Sequence, residues 1–240
     1  MKHLLSTAAI GSGLLMAGHH AMAADAANKA WEGESELGIV TTSGNTDTQT
    51  INVKGKIINN SEQWRHTGKL DGLKTSSDNE TTARRIQLSA KSDYKTSEFN
   101  YFFGTVVYDD DRFSGYDYRV SEAIGYGRRV IHQENLTLDL EIGPGARQSK
   151  LDNGDSESEF IVRAAAGLDW KISDTATFTQ DLNIDAGEES TITKSVTALK
   201  SQIAGSLAMK VSYTIKNTSD VPPGVKKTDT ETALTLVYSY

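Results

Sequence analysis

Charged side chains recur at every second position along several stretches of the chain. Glu32, Glu34 and Glu36 are separated by single residues. The same spacing separates Lys54 from Lys56. Because the side chains of a β-strand alternate between its two faces, each set shares one face of a strand. A face that carries both signs of charge predicts either a water-filled pore that selects solutes or an interior closed by ion pairs.

Further charged residues occupy positions that place them on the same side of the predicted sheet. They are Arg65, Lys69, Asp71, Arg119, Asp139, Glu141, Arg147, Arg163, Asp169, Asp181, Asp185 and Lys210. Four glycines are expected to make room for these long side chains, namely Gly104, Gly125, Gly143 and Gly167. Barrels with a wide channel have about sixteen or more strands. A narrow pore and a plugged structural interior therefore both remain open as interpretations of this face.

Histidine and cysteine, the usual partners in nucleophilic catalysis, are scarce. The chain has no cysteine, and beyond residue 23 its histidines are His66 and His132. No Ser or Asp lies at a spacing from either histidine that would build a proton relay. The sequence therefore predicts a protein that is not an enzyme, with no catalytic and no cofactor-binding residues.

Two acidic stretches, Asp109–Asp111 and Leu151–Glu159, carry oxygen ligands of the kind that divalent cations prefer. Their spacing differs from that of the twelve-residue calcium loop, because Gly154 follows only one Asn and one Asp. We interpret both stretches as solvated loops and predict no metal site.

The segment FIVRAAAGLDW, from Phe160 to Trp170, shows which element positions the charged residues. Phe160, Val162, Leu168 and Trp170 lie at even positions, while Ile161, Arg163 and Asp169 lie at odd positions. A period of two is typical of a β-strand and differs from the period of a helix. The charged row and the apolar row therefore point to opposite sides of a sheet.

Twelve segments of this kind follow one another along the chain. Each is long enough to cross a bilayer as a tilted strand, which takes about nine to eleven residues. Strands of globular proteins are shorter, at about five or six residues. The predicted spans are 31–42, 46–58, 62–74, 79–94, 98–109, 114–130, 134–146, 157–171, 174–186, 190–200, 203–216 and 229–240.

Two of these strands alternate imperfectly. In the strand 190–200, Lys194 and Lys200 share a row with apolar residues, so a barrel of ten strands remains an alternative. In the strand 114–130, Glu122 falls in the outward apolar row. A carboxylate facing lipid is costly, and we expect a β-bulge that turns Glu122 inward.

The connections between strands alternate in length. Tight connections, such as Asn59–Ser61 and Ile172–Ser173, alternate with longer polar ones, such as 217–229. Membrane barrels have this arrangement of short periplasmic turns and long outside loops. Because a barrel has no free edge, its last strand must pair with its first. Tyr238 and Tyr240 are then expected in the aromatic girdle at the periplasmic interface.

The N-terminal residues indicate export. Residues 1–23 combine a short positive start, an apolar run and small residues at Ala21 and Ala23, as in a secretory signal peptide. Cleavage after Ala23 leaves 24 Lys and Arg against 32 Asp and Glu, a net charge of -8. This acidity argues against a nucleic-acid partner. The low mean hydropathy of -0.44 is compatible with a membrane barrel, whose strands alternate polar and apolar residues.

The segment Trp31–Ile57, with its strand-turn-strand around Thr42–Thr46, resembles the start of a known family. Arg119–Val130, Leu140–Ser149 and the closing strand also match. The family is that of the salt-induced outer-membrane proteins (YdiY-like) of Gram-negative bacteria, and the resemblance covers 31–240. It implies a domain of unknown function in the outer membrane, without catalytic residues to carry over. A link to salt response is also implied by the family's label.

Taken together, these observations predict an all-β transmembrane antiparallel β-barrel at residues 31–240, after a signal peptide (1–23) and a short periplasmic segment (24–30). The predicted function is a small channel or a structural component of the cell envelope. Expected partners are outer-membrane lipid, lipopolysaccharide and, through the C-terminal strand, the barrel-assembly machinery. The alternative is a soluble periplasmic β-barrel that binds a ligand, with its apolar row turned inward and its charged row in water.

Overall fold

The structure is a computed structural model that describes residues 31–42, 48–78, 80–112 and 114–240. The predicted signal peptide and the segment 24–30 lie outside these residues, as does most of the predicted turn at Thr42–Thr46. Within the described residues, twelve antiparallel strands close into one barrel. They are β1 Trp31–Thr42, β2 Thr48–Asn60, β3 Trp64–Ser77, β4 Glu80–Lys95, β5 Asn100–Asp111, β6 Tyr116–His132, β7 Leu136–Leu151, β8 Ser156–Lys171, β9 Ala176–Gly187, β10 Thr191–Ala204, β11 Leu207–Thr218 and β12 Thr228–Ser239.

Each strand pairs with the next along the chain, and β1 closes the barrel against β12. The register of the closing pair runs from Glu34 opposite Ser239 to Leu37 opposite Leu236. The ring of Tyr240 lies over Gly33, where a Cβ atom would come within 2.2 Å of the ring. The expectation that the last strand pairs with the first is therefore confirmed, and the closing strand needs glycine at position 33.

The apolar rows face outward. Ile124, Phe160 and Ile142 are 68%, 64% and 60% exposed on the outer surface. Such a belt of exposed apolar side chains suits contact with hydrocarbon, and barrel closure satisfies the backbone polar groups without water. The soluble alternative is wrong, because it requires these rows to meet in a dry centre. Among the described residues, no helix is long and apolar enough to cross a membrane.

The barrel has two different ends. We call the end with Trp31 and Tyr240 the terminal end, and the opposite end, with the connection 219–227, the loop end. Aromatic side chains form a girdle around the outward surface at the terminal end. Trp64 stacks on His66 and contacts Tyr94, with ring centroids 5.6 and 5.0 Å apart. Tyr238 and Tyr240 stack at 6.1 Å, so the predicted aromatic girdle is present at this end.

Strand boundaries differ from the prediction mainly at the loop end. Strands β3, β5 and β7 run on into segments predicted as loops, so the connections 78–79, 112–115 and 152–155 are short. The connection 219–227 is the longest between described strands. At the terminal end, the turn predicted near Ser201 lies instead at Gly205–Ser206, after β10.

Three orientations also differ from expectation. The predicted bulge at Glu122 is wrong, because β6 keeps its regular pairing there and Glu122 stays exposed on the outward face. Gly104 lies in the outward row of β5, opposite Ile124, and makes no room in the lumen. In β10, the row that contains Lys194 and Lys200 faces the lumen together with its apolar neighbours, which resolves the strand count at twelve.

Candidate functional site

At the loop end, side chains from opposite walls meet across the lumen. Strands β5 and β11 lie half-way round the barrel from each other. Lys216 on β11 nevertheless donates to Asp109 on β5 at 2.8 Å. In the same way, Lys194 on β10 donates to Gln87 on β4 at 2.7 Å. These contacts span the barrel, so side chains alone close its cross-section at this level.

A second group of charges packs beside the cross-lumen contacts. Arg85 on β4 lies 2.7 Å from Glu231 on β12 and 3.6 Å from Asp71. Lys54 lies within 3.6 Å of Asp71 and 3.5 Å of Glu231, and Asn52 donates to Glu231 at 2.8 Å. Each carboxylate thus serves several donors, as buried charges require.

The wall formed by β7 to β9 holds the most deeply buried cation. The Arg147 side chain is 1% exposed and donates to Glu159 at 2.6 Å and to the hydroxyl of Ser190 at 3.0 Å. Nearby, Arg163 donates to Asp185 at 2.9 Å and to Asn183 at 2.7 Å. We call these side chains the loop-end layer; its members are Asn52, Lys54, Asp71, Arg85, Gln87, Asp109, Arg147, Glu159, Arg163, Asn183, Asp185, Ser190, Lys194, Lys216 and Glu231.

Several polar atoms of the loop-end layer have no protein partner. Among the described residues they include Asn52 Oδ1, Arg85 Nε, Asp109 Oδ1 and Arg147 Nη1. Buried polar groups ordinarily need a partner, which can be water. The layer is therefore a polar contact between walls that leaves several hydrogen-bonding positions for water.

The connection 219–227 covers the mouth of the barrel above this layer. It leaves β11 and reaches the β5–β6 connection on the far side, where Gly115 has a φ of 78°. A Cβ atom on Gly115 would lie 2.9 Å from Pro222 and 3.1 Å from Val225. The loop end is thus closed twice, by side chains and by this loop.

The terminal end has one lumenal wall built from aromatic rings. Tyr101, Phe103 and Ala123 form a buried cluster on β5 and β6. The Tyr101 ring lies on Gly127, where a Cβ atom would come within 2.2 Å of it. The Tyr101 hydroxyl donates to Glu141 at 2.8 Å.

Cations surround this aromatic wall. Arg65 and Lys91 both lie 5.3 Å from the centre of the Tyr101 ring, within range of a cation–π interaction. Arg65 also pairs with Asp93 at 2.7 Å, and Lys91 contacts Glu141. Farther towards the terminal end, Arg129 binds Asp139 through two bonds of 2.7 and 2.9 Å.

The facing wall at the terminal end is open. A cavity of about 440 Å³ is lined by residues of β1, β2, β10 and β12, including Glu32, Glu34 and Lys56. Lys200 pairs with Glu34 at its edge, and Lys210 donates to Glu36 at 2.8 Å. These pairs join strands that lie two or three places apart, and so they do not cross the lumen.

Lys56 and three further charges face this open space from opposite sides. Lys56 and Lys69 come from β2 and β3, while Asp169 and Asp181 come from β8 and β9, half-way round the barrel. Lys56, Lys69 and Asp169 are exposed although they lie inside the barrel, and Asp181 is half-buried. We call the cavity and these four residues the vestibule. Water-accessible space separates Lys69 from Asp169 and Asp181, whereas Lys56 lies directly opposite Glu34 on the adjacent strand β1.

The charged row predicted from the sequence does face the lumen, from Glu32 on β1 to Lys210 on β11. Strand alternation in the sequence did not identify several other lumenal residues of the site, which are Arg85, Lys91, Asp93, Tyr101, Phe103, Arg129, Glu159, Lys216 and Glu231. Most could have been found by continuing the alternation of each strand outward from a residue already assigned. Their pairing across the lumen has no local signal.

The structure places the two histidines away from the lumen. His66 is exposed on the outward face, where its Nδ1 lies 2.9 Å from the hydroxyl of Ser92. His132 ends β6 and lies 3.5 Å from Glu98. In the described part of the chain, no three His, Asp or Glu side chains are grouped so that they would hold a metal ion.

Solved structures share this fold. The NanC porin aligns with a TM-score of 0.51 and 10% identity, over 87% of this chain and 98% of that one. An outer membrane channel of Pseudomonas putida F1 aligns with a TM-score of 0.50 and 10% identity, over 88% and 94%. The architecture is therefore that of outer-membrane β-barrels.

A relative in sequence covers most of the chain. The uncharacterized protein YdiY of Escherichia coli strain K12 is 28% identical over 216 residues, which are 89% of this chain and 84% of that protein. A family model matches residues 35–240, which include nearly the whole barrel. The chain belongs to the family described as "Protein of unknown function, DUF481".

Proposed function

We propose that the protein is an outer-membrane channel for small hydrophilic solutes, closed at rest by the loop-end layer. One observation carries the proposal: the lumen is water-accessible as far as Lys69 and Asp169, and beyond them it is closed by side chains from opposite walls. Within the described residues no inserted helix or strand fills the lumen. Side-chain contacts can open without unfolding the barrel.

The arrangement of Lys69 and Asp181 in the vestibule supports transport over a purely structural role. A plug that only satisfied its own charges would pair Lys69 with a carboxylate. Instead, Lys69 and Asp181 face each other from β3 and β9 without forming a salt bridge. Rings of charged side chains select solutes in aqueous pores. The remoteness of His66 and His132 from the lumen also favours transport over catalysis.

The proposal includes a physical link to salt. The Debye length falls from about 10 Å at 0.1 M salt to about 3 Å at 1 M. Higher salt therefore weakens the partly hydrated ion pairs at the edges of the layer, such as that between Lys54 and Glu231. The conductance should rise more steeply with salt concentration than the conductivity of the solution does.

The test is conductance of the purified protein in planar bilayers. The variant Asp109→Ala/Lys216→Ala removes both partners of the cross-lumen pair, although the buried Arg119 also loses its contact with Asp109 at 3.9 Å. We expect its conductance to exceed that of the wild type several-fold. The matched control, Glu34→Ala/Lys200→Ala, removes an ion pair that does not cross the lumen, and its conductance should stay near the wild-type value.

The opposite result would identify a structural component of the envelope. If neither the wild type nor the Asp109→Ala/Lys216→Ala variant conducts at any salt concentration, transport through the lumen is excluded. Folding of each variant is checked by its heat-dependent mobility on a gel, so that loss of the barrel is not mistaken for closure.

The orientation and assembly of the barrel belong to the same proposal. The terminal end faces the periplasm, where an exported chain begins, and the barrel-assembly machinery recognises β12. The aromatic girdle at the terminal end and the closing pair of β1 with β12 support this arrangement. Protease added to intact cells should cleave a site engineered into 219–227 and leave one at Gly205–Ser206 uncut.

A further inference from the structure

Three cations lie in one row on the outward face of the barrel at the loop end. Lys74 on β3 is directly opposite Arg84 on β4. The Arg112 backbone N–H, just after β5, donates to the carbonyl of Arg84 at 3.2 Å. Their neighbours Asp71, Arg85 and Asp111 face the lumen, so the alternation of each strand turns the three cations outward.

Like charges placed directly opposite each other destabilise a sheet unless something offsets them. Neither Glu80, at the tip of the β3–β4 hairpin, nor Asp110, one pair closer to the terminal end, forms a salt bridge with the three cations. Elsewhere on this rim the charge is balanced, since Lys150 lies 4.0 Å from Asp117. The row therefore concentrates positive charge on a chain whose net charge is -7.

The depth of the row matches the outer boundary of the hydrocarbon. On β3 the outward row begins in the girdle at Trp64, passes Leu70 and reaches Lys74. About ten residue steps in a strand tilted by about 40° rise roughly 25 Å, the height of the apolar band of a membrane barrel. The cations thus lie where the phosphates of outer-leaflet lipid begin.

We propose that Lys74, Arg84 and Arg112 form a binding site for the phosphate groups of lipid A, the membrane anchor of lipopolysaccharide. The guanidinium groups can bind phosphate oxygens through two parallel hydrogen bonds each, and the ammonium group adds a third positive charge. The outward apolar residues below them, Ile86 and Leu88, contact the acyl chains of the same lipid. Basic clusters at a membrane boundary recognise anionic head groups in this way.

The test measures binding of lipid A to the purified protein in detergent micelles by native mass spectrometry. Variant Lys74→Gln/Arg84→Gln/Arg112→Gln should bind bisphosphorylated lipid A at least tenfold more weakly than the wild type. The control Lys150→Gln/Lys226→Gln/Lys227→Gln removes the same charge from the same end and should change the affinity less than twofold. Dephosphorylated lipid A should bind the wild type at least tenfold more weakly, and 10 mM inorganic phosphate should not displace lipid A.

Several outcomes overturn the proposal. Equal losses in the two triple variants would mean that only net charge matters. Equal binding of dephosphorylated lipid A would mean that phosphate is not recognised, and displacement by inorganic phosphate would indicate a site for free anions. If the triple variant does not fold, Arg84→Gln alone should still weaken binding about threefold, and an unchanged affinity would also reject the site.

Discussion

At the loop end of the lumen, Arg147 and Lys216 are buried, and each is held by a carboxylate within hydrogen-bond distance. At the terminal end, Lys56 and Lys69 are exposed inside the same barrel; Lys56 lies opposite Glu34 on the adjacent strand, and Lys69 faces Asp181 from the other wall without a salt bridge. Both regions use the same residue types on the same kind of strand. Whether the lumen is closed depends on whether side chains of facing walls reach each other.

This difference also decides how strongly each charge affects stability. A buried charge that loses its partner keeps its desolvation cost, whereas an exposed charge is solvated with or without a partner. Substitutions in the loop-end layer should therefore act mainly on the free energy of unfolding. Substitutions of Lys69, Asp169 and Asp181, which face each other across the vestibule, should act mainly on conduction.

The largest expected effect is that of Arg147→Ala. The substitution leaves Glu159 buried without its cation, and it should lower the free energy of unfolding by about 3–5 kcal/mol. Urea-induced unfolding in detergent micelles measures this value. Lys56→Ala in the vestibule is the control and should cost less than about 1 kcal/mol, because Lys56 is exposed. Similar losses in the two variants would show that the two regions do not differ in burial as described.

The next effect concerns the aromatic wall of the terminal end. Gly127→Ala places a methyl group within 2.2 Å of the Tyr101 ring and should cost about 1–3 kcal/mol through overpacking. The same unfolding measurement should find almost no cost when Tyr101→Ala is already present. Gly167→Ala on β8, whose Cβ atom would lie 3.7 Å from Asp181, is the matched control. A cost that persists without the Tyr101 ring would contradict the packing described.

A smaller effect is expected on the outward, lipid-facing surface of the barrel. Glu122→Leu removes a carboxylate from the lipid-facing row and should raise the free energy of unfolding in bilayers by about 1 kcal/mol, since acidic residues there cost less than the 2–4 kcal/mol of Arg or Lys. Glu188→Leu, in the connection after β9, should give no such gain. A loss of stability in Glu122→Leu would instead indicate that this face has a polar partner.

The smallest effect distinguishes the two regions by their response to salt. A double-mutant cycle of Glu34 and Lys200 should give a coupling of about 0.5 kcal/mol at 0.1 M salt that nearly vanishes at 1 M. The cycle of Asp109 and Lys216 should keep most of its coupling, because buried pairs are screened much less. If both couplings fall by the same fraction, the loop-end layer is as hydrated as the vestibule.

The strands and their number follow from the sequence because alternation is a local property. In the segment Phe160–Trp170, alternation alone predicts which side chains face outward and which face the lumen, without knowledge of the neighbouring strands. Strand β10 shows the limit of this reasoning. Its lumenal row mixes Lys194 and Lys200 with Val196 and Ala198, and its outward row contains mostly Ser and Thr, so neither row is clearly the apolar one.

The candidate site is less predictable, because its contacts are distant along the chain. In β5 both rows are partly aromatic, and so Tyr101 and Phe103 give no local sign that they face the lumen. The partners Asp109 and Lys216 are separated by 107 positions. Which strands face each other across a barrel depends on the number of strands and on their register. Alternation within one strand carries no information about either.

The contact between Asp109 and Lys216 also constrains the order of assembly. Strand β5 precedes β11 by about a hundred residues in the chain. The two walls face each other only when the barrel has closed. Until the barrel closes, Asp109 on β5 cannot contact Lys216 on the opposite wall. The free energy of the cross-lumen contacts therefore becomes available only when the barrel closes. An incompletely closed sheet lacks this stabilisation and remains susceptible to proteolysis.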